Sequence, residues 1–149
     1  MTLSWTTFTF EQLSLEQLYE ILRLREAVFS VEQECIYTDL DGLDQGATHL
    51  LCEDQGSLLA YLRCLPPGLA YPQSSMGRIV VPAQSRGTQL GRELVRRGVE
   101  LTLAQWPDSD VIINAQAYLR RFYEGFGFSA MGEEYIFDGI PHLKMLRKS

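Results

Sequence analysis

The segment Ile79-Val80-Val81-Pro82-Ala83-Gln84-Ser85-Arg86-Gly87-Thr88-Gln89-Leu90-Gly91-Arg92-Glu93-Leu94 constrains this chain more than any other. The apolar run Ile79 to Val81 after Arg78, ended by Pro82, suits a short buried strand, because proline cannot continue a ladder. After a glycine-containing loop, Leu90, Leu94, Val95, Gly98, Leu101 and Leu103 mark a helix to about Gln105, which Trp106-Pro107-Asp108 stops. A helix start carries unpaired N–H groups and the positive end of the macrodipole, so a diphosphate would sit well there. Gly87 and Gly91 let the backbone approach such an anion closely. A P-loop would need a Gly-Lys-Ser/Thr ending, which is absent. A dinucleotide fingerprint would need G-x-G-x-x-G after the chain's first strand, whereas this loop comes late. An ordinary strand–loop–helix corner with glycines for packing would read the same way, and these residues alone leave both readings open.

The rest of the chain alternates strands and helices. Thr6 to Phe10 reads as a strand. Ser14 with Gln17 forms a capping box, and Leu15, Leu18, Leu22, Arg25 and Phe29 follow on one helical face, predicting a helix from about Leu15 to Phe29. Ser30 to Ala47 reads as a short helical turn and then a loop carrying Asp39, Asp41 and Asp44. Thr48 to Glu53 and Leu58 to Leu65 are strands around the hairpin turn Asp54 to Ser57. Val111 to Ile113 is a further buried strand, and Tyr118 to Phe126 is helical. Met131 to Phe137 and His142 to Leu146 are strands joined at Asp138-Gly139. The order is β-α-β-β-β-α-β-α-β-β, with a second α after the first when the turn following Phe29 is counted. Such an order calls for an α+β or α/β sheet covered on both faces.

A length of 149 residues fits one domain, 1–149, with one core, and 46% hydrophobic content argues against disorder. A net charge of −6 argues against general affinity for nucleic acid or anionic membrane and mildly favours a cationic substrate. No secretory signal or transmembrane run is visible. Cys35, Cys52 and Cys64 are odd in number and lack metal-ligand spacing, which suits buried thiols in a cytoplasmic protein.

Arg86-Gly87-Thr88-Gln89-Leu90-Gly91 resembles motif A of the GNAT superfamily of acyl-CoA N-acyltransferases, R/Q-x-x-G-x-G/A. It departs at Gln89, where the pattern has glycine. Phe122-Tyr123-Glu124-Gly125-Phe126 resembles motif B, and Gln116 stands seven residues before the tyrosine, where asparagine is usual. Arg25 to Phe29, Val31 to Gln33, Tyr37, Asp41 to Asp44, Gly77 to Ile79, Ala115 to Ala117 and Asp138 to His142 are similar to the ElaA-like branch. The resemblance implies a mixed, mostly antiparallel central sheet of about seven strands with helices on both faces. It implies acetyl-CoA as co-substrate, no metal, and a small-molecule or peptide amine as acceptor; a homodimer would be in keeping with it. The diphosphate would lie on Arg86, Gly87, Thr88, Gln89, Leu90, Gly91 and Arg92. The pantetheine arm would lie along Ile79, Val80 and Val81 and near Gln116, with Tyr123 as the acid that protonates the departing thiolate. By itself Tyr123 would equally suit a core aromatic beside Phe122.

The general base is open. Glu32 follows the first helix, in the segment that roofs the acceptor site in this superfamily, and ranks ahead of His142, which begins the last strand. His49 suits a satisfied structural histidine, and Arg25 a buried ion-pair partner. The loop aspartates could attract a cationic acceptor, but turn-forming acids on a solvated loop are the expectation; a calcium loop would need a glycine and a closing glutamate that are absent. Two rivals stand beside the acetyltransferase. One is a CoA-binding regulator without turnover, favoured by Gln89. The other is an enzyme like the acyl-homoserine-lactone synthases, faintly suggested by Arg25, Phe29, the loop acids and Leu62 to Pro66.

Overall fold

Leu50 and Leu51 are neighbours in sequence, face opposite sides of one sheet, and are both buried. A strand covered on both faces needs helices above and below it. The computed structural model, which describes residues 2–33 and 38–149, supplies them. Cys35 and Tyr37 lie outside the described residues. The elements are β1 (Ser4–Thr9), α1 (Leu15–Arg25), β2 (Thr48–Asp54), β3 (Ser57–Leu65), β4 (Ser74–Val80), α2 (Leu90–Gln105), β5 (Val111–Gln116), α3 (Arg120–Glu124), β6 (Ser129–Ala130), β7 (Tyr135–Phe137) and β8 (Ile140–Arg147). They form one eight-stranded sheet in the order β1-β2-β3-β4-β5-β8-β6, with β7 also paired to β8. All pairings are antiparallel except β4 with β5.

On one face, Leu94, Val95 and Val99 of α2 and Tyr123 of α3 pack against Leu62, Met76, Ile113, Leu143 and Met145. On the other, Ile21 of α1 packs with Leu51, Tyr61 and Val80. Each such side chain contributes about 1.5–3 kcal/mol of burial. Helix α2 lies very close to the sheet at Gly98, where an added Cβ would stand 2.5 Å from Leu62 Cδ2. Ser14 and Gln17 cap α1 reciprocally, each side-chain oxygen accepting the other's backbone N–H at 3.0 Å.

Four boundaries differ from the sequence reading. The first helix is α-helical only to Arg25 and runs on as a π-helical segment, Glu26–Glu32. β4 begins at Ser74, not Arg78, because Ser74 and Ser75 are held by the start of β5. Of the expected strand Met131 to Phe137 only Tyr135–Phe137, β7, is a strand; β6 lies before Met131, and the chain between the two turns at Gly132 with φ +88°. Tyr118 to Phe126 is a 3-10 turn, Ala117–Leu119, followed by the single-turn α3.

The decisive irregularity is in β4. Tyr61 pairs with Val80 and Arg63 with Gly77, so two steps along β3 match three along β4. The extra residue is a β-bulge, and Arg78 takes it up at φ +50°. On its other edge β4 pairs with β5 only at Ser74–Val111 and Ser75–Ile112. Beyond those pairs the two strands separate, and a cleft opens between Met76–Val80 and Ile113–Gln116.

Arginines and aspartates brace this region. Arg25, fully buried, contacts Asp39 Oδ2 and Asp44 Oδ1 at 2.9 Å each. Arg63 reaches Asp41 Oδ2 at 2.5 Å and Asp44 Oδ1 at 2.8 Å. Arg78 Nε lies 2.9 Å from Asp39 Oδ1, and its Nη2 donates to the Asp39 carbonyl at 2.9 Å. Asp39, Asp41 and Asp44 therefore turn inward rather than forming the solvated loop read from the sequence. The reason is that Arg25 and Arg63 are buried and need counter-charge. Burial opposes ionisation of Asp41, but hydrogen bonds and charge from Arg63, the Leu43 amide and Arg78 outweigh it and hold its pKa down to about 2. Asp44 is lowered against the same opposition by Arg25 and Arg63.

A depressed carboxylate pKa contributes stability above the unfolded value that is lost as pH falls through the folded one. Asp41 is partly exposed and solvent screens its ion pairs, so denaturant unfolding at constant ionic strength should lose about 1 kcal/mol between pH 4 and pH 2 from this residue, and Asp41→Asn should flatten that slope. Stability unchanged across this window would contradict the network.

Candidate active site

The corner after β4 is built on main-chain groups. Arg86 Nε donates to the Val81 carbonyl at 3.1 Å, and Thr88 Oγ1 donates to the Ser85 carbonyl at 2.6 Å. These bonds fold the loop over the strand end. The first α2 hydrogen bond runs from Glu93 N to Gln89 O at 3.1 Å, so the amides of Leu90, Gly91 and Arg92 precede the helical ladder. No atom lies within 4 Å of where a Cβ on Gly87 would be, and only Val81 Cγ2, at 3.9 Å, near one on Gly91. This approachable backbone, flanked by Arg86 and Arg92, fits a diphosphate. Glu93 in the same helical turn would oppose an anion, but Arg96 and Arg97 bind its carboxylate and lower its pKa to about 2.

Gln89 caps α2 at φ +67°, ψ 0°. That is the left-handed conformation glycine adopts without cost, which explains the glycine in the motif A pattern. The loop follows that path here with a side chain attached.

Across the cleft, β5 ends at Gln116, and the next turn leads into α3. Tyr123 is 6% exposed, edge-on to Phe122 and Phe128. Its hydroxyl makes no hydrogen bond to the described residues. Burial, then the nearby Tyr118, pushes the phenol's pKa above its ordinary value, so it stays protonated at neutral pH.

The candidate bases differ in surroundings. Glu32, at the end of the π-helical segment, forms a two-pronged ion pair with Arg86. That hydrogen bonding holds its carboxyl below the usual range. His142 is 9% exposed, and its Nδ1 lies 2.8 Å from the Ile140 carbonyl. A carbonyl only accepts, so Nδ1 carries a proton there, and Nε2 is left without a hydrogen-bond partner among the described residues. His142 faces Gln116 across β5–β8 and Tyr135 across β7–β8, so the three form one row on the sheet. His49 is the structural histidine the sequence suggested, bridging the Asp44 carbonyl at 2.9 Å and the Tyr61 hydroxyl at 2.6 Å, with its pKa lowered by burial.

A family model for the Acetyltransferase (GNAT) domain matches residues 8–149, nearly the whole chain. The chain belongs to the GNAT acyltransferase family. Protein ElaA of Escherichia coli is 39% identical over 148 residues, covering 98% of this chain and 97% of that protein. A UPF0039 protein of Synechocystis sp. is 40% identical over 148 residues, covering 98% of this chain and 96% of that protein. Among solved structures, an acyl-CoA N-acyltransferase from Pseudomonas aeruginosa superposes with a TM-score of 0.93 at 41% identity, covering 98% of this chain and 99% of that one. The acyl-homoserine-lactone synthase LasI, at TM-score 0.76 and 12% identity, shares the fold. An acyl-CoA co-substrate and an acceptor follow from membership of the GNAT family. Among the described residues no helix is long and apolar enough to cross a membrane.

Sequence reasoning missed Tyr135, Asn114 and Lys144, which share the sheet face of His142. Alternation along the last strand could have placed Lys144 with His142, but the pairing of β5 with β8 is not local information.

Replacing Gln89 by glycine should remove left-handed strain and stabilise the fold by about 1 kcal/mol, a rise of roughly 2–4 °C in thermal midpoint. Thermal unfolding of Gln89→Gly checks this; a lowered midpoint would contradict the conformation of the loop.

Proposed function

We propose that this chain, acting as one catalytic domain over residues 1–149, is an acetyl-CoA-dependent N-acetyltransferase that acylates an amine by direct attack in a ternary complex. The observation that supports it most strongly is the parting of β4 from β5 beyond Ser75–Ile112, beside the amides that precede the α2 hydrogen-bond ladder. When bound, acetyl-CoA supplies the electrophilic thioester carbon and a thiolate leaving group.

In this reading the amides from Gly87 to Arg92 and the guanidinium groups of Arg86 and Arg92 hold the diphosphate. Ile79, Val80 and Val81 pair with the pantetheine arm along the edge that β5 leaves free, and one of their N–H groups polarises the thioester oxygen. Loss of one such donor costs about 2.7–4 kcal/mol of transition-state stabilisation. Gln116, half-buried at the end of β5, is within the same cleft wall and steadies the arm.

An alkylamine with a pKa near ~10.4 is mostly protonated at neutral pH and must lose a proton before attack. We assign that step to His142 rather than Glu32. His142 Nε2 has no hydrogen-bond partner among the described residues and can take up a proton, whereas the Glu32 carboxylate is bound to Arg86 and made less basic by it. Glu32 instead ties the segment after α1 to the phosphate loop. Tyr123 donates its proton toward the departing sulfur, and the apolar surroundings that raise the phenol's pKa also raise the basicity of a thiolate beside it.

Tyr123→Phe should lower the rate of thiol release with an accepted amine by about 10²–10⁴-fold, with acetyl-CoA affinity by calorimetry little changed. An unchanged rate would remove Tyr123 from the chemistry, and no acetyl-CoA binding by the unmodified chain would overturn the function.

A further inference from the structure

Leu143 and Met145 of β8 point into the core beneath α2. His142 and Lys144 therefore lie on the opposite face, about 6.5–7 Å apart along the strand. Across the β5 pairing, His142 stands opposite Gln116 and Lys144 opposite Asn114. Tyr135 and Phe137 of β7 flank His142, with ring centroids at 6.4 Å and 5.3 Å. Asn114, Gln116 and Lys144 are only half-buried, so this polar patch opens to solvent beside the β4–β5 cleft.

Among the described residues, Lys144 is held there without a counter-ion. Its Nζ stands 5.5 Å from the centroid of the Tyr71 ring and 6.0 Å from that of Tyr135, so aromatic faces fix it in place. No carboxylate lies within ion-pair distance of it among the described residues, in a chain of net charge −6. Beside it, the Tyr135 hydroxyl donates to Asn114 Oδ1 at 2.5 Å, which leaves the Asn114 NH2 as a donor on the same patch. A fixed ammonium and an adjacent amide donor form a receptor for a carboxylate.

We infer that the acceptor is an amine that also bears a carboxylate, an amino acid or a close relative, with its carboxylate on Lys144 and Asn114 and its amine turned toward His142. This inference rests on the acyltransferase reading above. It reverses the expectation from net charge alone: the overall negative charge suggests a cationic acceptor, but the ammonium of Lys144 stands on this patch and disfavours a second cation beside it.

The test compares thiol release from acetyl-CoA with acceptors matched in all but the carboxylate: glycine with methylamine, β-alanine with ethylamine and 4-aminobutyrate with propylamine, together with the common amino acids and the diamine putrescine. At least one carboxylate-bearing acceptor should exceed its plain amine by ten-fold or more in kcat/KM, with the difference mainly in KM. Lys144→Met should bring that ratio close to one, Lys144→Arg should retain most of it, and Lys144→Glu should shift preference toward putrescine. Equal or better turnover of plain amines, or a ratio unmoved in Lys144→Met, overturns the inference and leaves the acetyltransferase standing. Acetyl-CoA binding without turnover of any carboxylate-bearing acceptor also overturns the inference. Absence of acetyl-CoA binding overturns both.

Discussion

Strand β4 parts from β5, and the candidate site depends on that separation. A sheet pairs its strands until something stops it, because an unpaired buried backbone group costs free energy. Here pairing stops at Ser75–Ile112, since the bulge taken up at Arg78 bends β4 away. The backbone groups released on that edge are what an extended ligand can pair with, as a missing strand would. The same divergence points the end of β4 at the loop that opens α2.

A bulge with a non-glycine residue at positive φ carries about 1–3 kcal/mol of strain and persists only where its surroundings hold it. The side chain of the strained residue supplies part of that hold. Arg78 contacts both Asp39 and Asp41, and those acids also bind Arg25 and Arg63. A charge-balanced cluster thus ties the segment after α1 to the middle of β3 and to the bulge. Since Glu32 further ties that segment to Arg86, the acceptor side and the phosphate loop are linked through one stretch of chain.

Much of this was legible in the sequence, for local reasons. The capping box of α1, the hairpin turns and the glycines of the phosphate loop are each set by neighbouring residues. Arg63, standing between Leu62 and Cys64 in an apolar strand, could have warned that the loop aspartates were partners rather than solvated turn formers. The bulge was not legible, because one extra residue in β4 acquires meaning only against the register of β3. Nor was the place of Gln116 beside Tyr135 and His142, because β5 reaches the β7–β8 hairpin only through pairing with a strand distant in sequence. Gln89 shows the converse: the sequence marks a departure from a pattern, and the backbone angle explains why the pattern exists.

Backbone amide shifts of the isotope-labelled chain, followed while acetyl-CoA is titrated in, test the central claim most directly. The account predicts that the largest changes fall on Gly87 to Arg92 and on Ile79 to Val81, with Gln116 next. Saturable changes centred elsewhere, for example on the surface depression lined by Gly127, Met131 and Arg147, with the α2 start unmoved, would contradict it.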